Sequence, residues 1–224
     1  MAEIYLVRHG QASFGSDNYD KLSELGHKQA TWLGEYFRNK NMAFDQIVSG
    51  DLVRHEETTQ GILNGLNSDQ EWHTLAGLNE FNFDSILTVY LAQYPDQVPA
   101  SDAPRSDYYR LLKKGMKAWA ENTLEGELSE SWDGFSNRVR KSFSHIQNNF
   151  HGDKVLVISS GGVIAMAISQ VLQSSADSVI ELNLQTKNTS VSHFYFNTKS
   201  IRLTGFNHTP HLDDNDKQQY ITFS

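Results

Sequence analysis

The sequence predicts an α/β protein built on a mainly parallel β-sheet that is flanked by helices. Three observations carry this prediction: short apolar, strand-like runs lie at residues 4–7, 44–49 and 154–159, and a helical pattern of apolar positions follows each of them. Strands that alternate with helices are typical of a parallel sheet with helices on its faces. Because loops that leave the carboxyl ends of such strands meet at one edge of the sheet, we expect the functional residues there.

The first strand and the first helix are well marked. Residues 4–7, Ile-Tyr-Leu-Val, are apolar and run directly into the polar segment Arg8-His9-Gly10. Ser23 is a suitable N-cap for a helix whose apolar positions recur with helical spacing from 25 to 37. Residues 44–49 are then predicted to form the second strand, and another helix follows it.

The middle of the chain differs in character. Residues 81–132 show helical patterns at 85–94 and 107–120, contain three of the four prolines, and include no strand-like run. We predict a single domain over residues 1–224, with 81–132 as a helical insertion that caps the active site.

The α/β pattern resumes after this insertion. Residues 154–172 form the strongest strand–turn–helix unit of the chain, with Ser160-Gly161-Gly162 as its turn. A helix is predicted at 135–150 before this unit, two strands that form a terminal hairpin at 189–196 and 200–206 after it, and a solvated tail at 213–219.

The composition excludes several classes of protein. The 224 residues include 19 Lys+Arg, 27 Asp+Glu and no cysteine, so the formal charge is −8. A chain without cysteine forms no disulfide, thiolate zinc site or cysteine nucleophile. The excess of acid argues against a nucleic-acid partner, and the apolar run at 4–7 is too short for a signal peptide or a membrane span. We therefore expect a cytoplasmic protein with no nucleic-acid or membrane partner; no pattern indicates its oligomeric state.

Cationic side chains and a helix N-terminus are predicted to meet at the functional edge. Arg8 and His9 follow the first strand, Arg54 follows the second, and Ser160 with Gly161 opens the helix after the third. Guanidinium groups match phosphate or carboxylate oxygens bidentately, and the free N–H groups of a helix start favour an anion. The residues thus predict an anion pocket in which Arg8, Arg54, Ser160 and Gly161 bind the substrate.

Six segments in order also resemble the histidine phosphatase superfamily, in its phosphoglycerate-mutase-like group. They are 4–10, which contains Arg8-His9-Gly10, then 19–30, 49–58, 78–81 and 155–164, and finally 206–207 with 211–212. The resemblance implies the phosphoglycerate-mutase-like fold and phosphoryl transfer through a phosphohistidine. It implies His9 as nucleophile and Glu80 as the proton donor, with no metal or other cofactor.

The chemistry of these residues agrees with that role. An imidazole, with a pKa of ~6.5, is largely neutral near pH 7, so His9 can attack phosphorus without a separate base. Arg8 and Arg54 would hold the oxygens of a charge-spread transition state. Glu80 would protonate the leaving oxygen and later activate the hydrolytic water.

Two departures from the family matter. Ser160 stands where members commonly have a second histidine, and losing one charge-assisted donor costs on the order of 3 kcal/mol. This predicts reduced activity or a compensated site, although Ser160 also suits a helix N-cap. Gly15 stands where the mutase-like subgroup usually has asparagine, which disfavours a mutase; Ser13, Ser16 or Asn18 are possible substitutes.

The remaining histidines of interest are interpreted from their neighbours. His27 and His55 fall among polar residues of predicted helices, so we expect both at the surface. His208 and His211 lie in the closing segment near two aspartates, and we expect no metal there. Either of these two could instead lean into the pocket and restore the charge lost at Ser160.

The sequence therefore predicts a phosphomonoester hydrolase that acts on a small phosphorylated metabolite. Two alternatives remain open. One is a phosphoglycerate mutase, and the other is a non-catalytic module that binds a phosphorylated ligand, which the serine at position 160 suggests.

Overall fold

The computed structural model describes residues 2–13, 20–100, 102–150 and 152–223, apart from the side chain of Arg105. Its strands are β1 (Ala2–Arg8), β2 (Gln46–Ser49), β3 (His73–Thr74), β4 (Lys154–Ser159), β5 (Val191–Phe196) and β6 (Ile201–His208). Its α-helices are α1 (Glu24–Asn39), α2 (Val53–Leu66), α3 (Phe83–Gln93), α4 (Arg105–Ala120), α5 (Trp132–Asn149), α6 (Gly161–Leu172) and α7 (Ala176–Gln185).

The six strands form one sheet in the order β3-β2-β4-β1-β5-β6. Strands β3, β2, β4 and β1 are parallel, whereas β5 is antiparallel to both of its neighbours. The predicted α/β class with a mainly parallel sheet is confirmed, and β5 and β6 form the predicted terminal hairpin. The register pairs Arg8 with Ser159 and Ser49 with Ile158, so the carboxyl ends of β1, β2 and β4 reach the same edge.

The two central strands are buried on both faces because each face carries apolar side chains. Along β1, Ile4 and Leu6 pack into the core that α5 and α6 cover, while Val7 packs with the apolar faces of α1 and α2. Strand β4 alternates in the same way, since successive side chains of a strand point to opposite faces. Because both faces of these strands are buried, their sequences are continuous apolar runs.

Helix α2 is held very close to α1 along its C-terminal half. A Cβ atom added to Gly34 would collide with the carbonyl of Ile62, and one added to Gly65 would collide with the carbonyl of Thr31. Ser23 caps α1 as predicted, because its hydroxyl accepts a hydrogen bond from the amide of Gly26. A larger side chain at either glycine would push the C-terminal half of α2 away from α1.

Some elements were not expected from the sequence. Helix α7 has only three buried residues, Val179, Ile180 and Asn183, so its apolar pattern is faint. Strand β3 has two residues, too few for periodicity. Helices α3 and α4 fall inside 81–132, but the division into one domain with an insertion there remains a prediction. None of the described helices is both long and apolar enough to cross a membrane.

Candidate active site

A cavity of about 990 Å³ opens at the carboxyl edge of the parallel strands. Four of the predicted site residues line it: Arg8 and His9 at the end of β1, Arg54 in the first turn of α2, and Glu80 in the loop before α3. The hydroxyl of Ser159 donates to the carbonyl of Leu78 at 2.6 Å, which ties this loop to the end of β4. Parallel strand ends thus bring together residues that lie far apart in the chain.

The ring of His9 is held in one tautomer. Its Nδ1 atom lies 2.7 Å from the carbonyl oxygen of Gly10. Since a carbonyl only accepts, Nδ1–H is the donor, and Nε2 keeps its lone pair. Burial lowers the pKa of His9 well below its usual value, and the positive charges of Arg54 and Arg8 lower it further. His9 is therefore a neutral imidazole with an unprotonated Nε2 at physiological pH.

Arg8 is oriented by main-chain carbonyls at the cavity wall. One of its terminal nitrogens donates to the carbonyl of Thr186 and, at 2.7 Å, to that of Phe223. Thr186 ends α7, and Phe223 lies in the C-terminal segment, which returns to the cavity. These main-chain carbonyls fix the orientation of the guanidinium group at the cavity wall.

Arg54 is fixed by an acid and by the packing of its helix. It forms an ion pair with Asp20, with 2.6 Å between Nη1 and Oδ1. The second oxygen of Asp20 accepts a hydrogen bond from the amide of Val53, the first residue of α2. The hydroxyl of Thr58 donates to the Arg54 carbonyl at 2.6 Å and accepts from the Gly10 amide at 3.0 Å. The Thr58 side chain thereby ties the loop after β1 to the helix that carries Arg54.

Glu80 is held by two main-chain amides. Its Oε2 accepts from the amide of Gly162 at 3.0 Å, and its Oε1 accepts from the amide of Phe81 at 3.2 Å. Burial raises the pKa of Glu80, although the Gly162 amide and the charges of Arg54 and Arg8 oppose the rise. A Cβ atom at position 162 would collide with the Glu80 carboxyl group and the Phe81 ring, so only glycine allows this approach. A carboxyl group with a raised pKa suits a general acid.

Ser160 and Gly161 are close to the site but are not among the residues that line the cavity. Ser160 occupies the N-cap position of α6, yet its hydroxyl makes no capping hydrogen bond. The interpretation of its side chain as an ordinary N-cap is therefore wrong. At Gly161, an added Cβ atom would lie 2.5 Å from the Oδ1 of Asn183 and 3.5 Å from the Nε of Arg8. A phosphate contact from either residue remains a prediction.

Comparison with known proteins decides the family. A sequence model of the histidine phosphatase superfamily, branch 1, matches residues 4–209. This chain belongs to the histidine phosphatase superfamily.

Relatives within the superfamily carry different activities in their names. A probable phosphoglycerate mutase, GpmB, of Citrobacter koseri is 24% identical over 200 residues, covering 86% of this chain and 84% of that protein. The broad-specificity phosphatase YOR283W of Saccharomyces cerevisiae is 34% identical over 66 residues, only 27% of this chain and 29% of that protein.

Solved structures show the same fold. Phosphoserine phosphatase of Entamoeba histolytica, crystallised with phosphoserine, has a TM-score of 0.67 at 20% identity and covers 95% of this chain and 100% of its own. A putative α-ribazole-5′-P phosphatase of Escherichia coli has a TM-score of 0.66 at 20% identity, with coverage of 93% and 98%. At this identity the likeness concerns the fold alone.

The predicted surface position of His55 is wrong. His55 is not at the surface but fully buried, with its Nε2 2.6 Å from the Oγ of Ser160 and its ring centroid 5.7 Å from that of His9. Burial lowers its pKa well below the usual value, and the charge of Arg54 adds to the effect. The signal for burial was present: Thr59 and Ile62, four and seven positions on, form a stripe with it on one face of α2.

The other three histidines that the sequence analysis considered, His27, His208 and His211, do not line the cavity. His27 is exposed on α1, as expected. His208 is exposed, and the buried His211 bonds through Nε2 to the hydroxyl of Thr189 at 2.9 Å. Burial and, to a smaller extent, Lys217 lower the pKa of His211 to about 3, so it carries no charge near pH 7. Neither residue restores the charge lost at Ser160.

Three further outcomes concern Gly15 and its possible substitutes, a metal site, and the C-terminal segment. Gly15 and its possible substitutes Ser16 and Asn18 lie outside the described residues, whereas Ser13 lies inside them and bonds to the carbonyl of Lys21. Within the described ranges, no cluster of three or more His, Asp or Glu residues could hold a metal ion. The sequence carried no signal that Phe223, beyond the polar tail, would return to the cavity.

Proposed function

We propose that this protein is a metal-independent phosphomonoester hydrolase that works through a phosphohistidine at His9. The observation that carries the proposal is the tautomer of His9. Its Nδ1–H donates to the Gly10 carbonyl, so an unprotonated Nε2 lies in a cavity that Arg8, Arg54 and Glu80 also line.

In the first step, Nε2 of His9 forms a bond to phosphorus while the bond from phosphorus to the leaving oxygen breaks. Arg8 and Arg54 stabilise the charge on the phosphoryl oxygens. Protonated Glu80 gives its proton to the leaving oxygen, which departs as a neutral alcohol. The raised pKa of Glu80 keeps part of the enzyme in the protonated form that this step needs.

In the second step, water attacks phosphorus and the bond from phosphorus to nitrogen breaks. Glu80, now a carboxylate, takes a proton from the attacking water, and His9 returns to its neutral form as phosphate leaves. The amides of Gly162 and Phe81 bind the carboxylate form of Glu80, which helps it to act as the base.

Within this proposal, Ser160 acts through His55. The hydroxyl of Ser160 holds Nε2 of His55, and the His55 ring stands beside that of His9. A second imidazole thus accompanies the nucleophile, supplied by α2 rather than by position 160. Because this ring is neutral, Arg8 and Arg54 balance the phosphate charge, and Gly161 keeps the start of α6 free of side chains next to Arg8.

Turnover of a labelled phosphomonoester, quenched at short times, tests the proposal. We expect a phosphoprotein that is labile to acid and stable to base in the native enzyme and in a His27→Ala control, and absent in His9→Ala. Label that survives in His9→Ala would refute His9 as nucleophile.

The same assay separates the alternatives. Hydrolysis is expected to persist in EDTA, since the proposed charge stabilisation comes from arginines; loss with EDTA and recovery with Mg²⁺ or Zn²⁺ would contradict it. Transfer of the label to a second phosphoglycerate rather than to water would identify a mutase. Phosphate binding without any turnover would identify a binding module.

A further inference from the structure

We propose that the substrate is a phosphomonoester with a large, uncharged, apolar body, such as an aryl or a long alkyl group, rather than a small metabolite with a second negative charge. This inference rests on the proposed function, because it assigns the leaving group of the same site. It replaces the small phosphorylated metabolite that the sequence suggests.

The outer part of the cavity is made of apolar side chains from three helices and the C-terminal segment. Leu87 comes from α3, Tyr108 and Leu112 come from α4, and Leu184 comes from α7. Phe223 adds an aromatic ring from the C-terminal segment. Such a wall is typical of a pocket that binds an apolar ligand, with polar groups at one end to set its orientation.

Exposed aromatic residues are concentrated at this cavity. Six large hydrophobic side chains are exposed in the described part of the chain, and three of them line it: Tyr108, Tyr109 and Phe223, which are 47%, 41% and 48% exposed. Clustered exposed apolar surface beside a polar site marks an interaction site, and here it is continuous with the proposed phosphate site. Binding an apolar body would remove this surface from water.

The size of the cavity agrees with such a body. Its volume of about 990 Å³ is at the upper end of the range for sites that hold drug-sized ligands, roughly 300–1,000 Å³. A phosphate group with a three-carbon acid would leave most of this space to water.

Charge disfavours a second anionic group on the substrate. Among the side chains described at the wall, the cations are Arg8 and Arg54, whereas Asp20, Glu80 and Asp84 are acidic. Arg54 already pairs with Asp20, and the phosphate needs both cations. With Asp20 paired and Glu80 protonated, a carboxylate elsewhere on the substrate would meet Asp84 without a described cation to pair with, and like charges repel.

Binding of n-alkylphosphonates from ethyl to octyl tests the inference, because they are not hydrolysed and differ only in apolar length. We expect the affinity, measured by calorimetry, to rise about fourfold per methylene until the cavity is filled, with a negative heat-capacity change. The corresponding alkyl phosphates share a leaving-group pKa, so their kcat/KM should rise in parallel and exceed that of 3-phosphoglycerate.

Two matched variants localise the effect. Tyr108→Asp should lower the octyl-to-ethyl affinity ratio by about tenfold or more, because it places a charge in the apolar wall. Val98→Asp, at an exposed apolar position outside the cavity, should leave the ratio and the activity unchanged.

The outcomes separate this inference from the proposed function. Suppose that hydrolysis depends on His9 but that neither the affinity nor kcat/KM depends on chain length. This result would overturn the inferred substrate class and leave the proposed function standing. Affinity that rises with chain length in a protein without turnover would contradict the proposed hydrolase and leave the apolar ligand class supported.

Discussion

The Nε2 atom of His55 lies 2.6 Å from the Oγ atom of Ser160, although 105 residues separate them. The Nδ1 atom of His55 is buried without a hydrogen-bond partner. A neutral ring has a single N–H, and an orphaned buried N–H is costly, so we assign that hydrogen to Nε2, where it bonds to Ser160. Position 160 therefore holds an imidazole in place instead of supplying one.

Ser160→Ala should lower kcat with little change in KM, because the His55 ring loses its one described hydrogen bond and no longer supports His9. The buried Nε2–H also loses its partner, so the free energy of unfolding should fall by about 1–3 kcal/mol. Initial rates and denaturant unfolding measure the two effects. Ser169→Ala is the control, since the buried Ser169 hydroxyl bonds only within the C-terminal part of α6 and the residues after it. An equal loss of kcat in both variants would show a merely structural role.

The two positions should be exchangeable as a pair. Ser160→His alone places two rings in a space packed around one, so it should destabilise the protein and lower kcat. The double variant His55→Ala with Ser160→His moves the ring from α2 to α6 and should be more active than either single variant. A double-mutant cycle of kcat and Tm measures this coupling. Additive effects of the two substitutions on kcat and Tm would mean that an imidazole at position 160 does not take the place of the His55 ring.

Glu80→Gln should slow hydrolysis of an alkyl phosphate by about 10²–10⁴-fold, because an alkoxide leaves poorly without a proton. With 4-nitrophenyl phosphate, the first step should slow much less in this variant, since its leaving group needs no proton. In the native enzyme the rate with alkyl phosphate should fall as pH rises through the raised pKa of Glu80, and this limb should vanish in the variant. Equal losses with both substrates would remove Glu80 as the general acid.

Acid should destabilise the protein through its buried histidines. The unfolded chain protonates His211 below pH ~6.5, whereas the folded chain does so only near the pKa of about 3, so the free energy of unfolding falls as pH drops below ~6.5. His211 alone should account for a loss of about 2 kcal/mol between pH 7 and pH 5. Unfolding of His211→Gln should show a correspondingly shallower dependence on pH. His27→Gln, at an exposed position, should keep the native slope; a native slope in His211→Gln would contradict the prediction.

The sequence by itself determined the fold class, the order of the main elements and the placement of Arg8, His9 and Arg54, and the resemblance to the family added Glu80. These features are local, because apolar runs define strands and helical spacing defines helices. The polar loops that follow parallel strands all lie at the same edge of the sheet. The ordered motifs added the family. None of this required knowledge of how helices pack on one another.

The tertiary structure alone decided which side chains meet beside His9 and around the cavity. His55 looks like a surface residue among its polar neighbours, and only the close packing of α2 buries it against Ser160. Phe223 follows a polar tail, yet its carbonyl bonds Arg8 and its ring lines the cavity. Such contacts join residues more than a hundred positions apart, so no pattern within a single helix or strand encodes them. They arise because separate elements bury their apolar faces on one sheet.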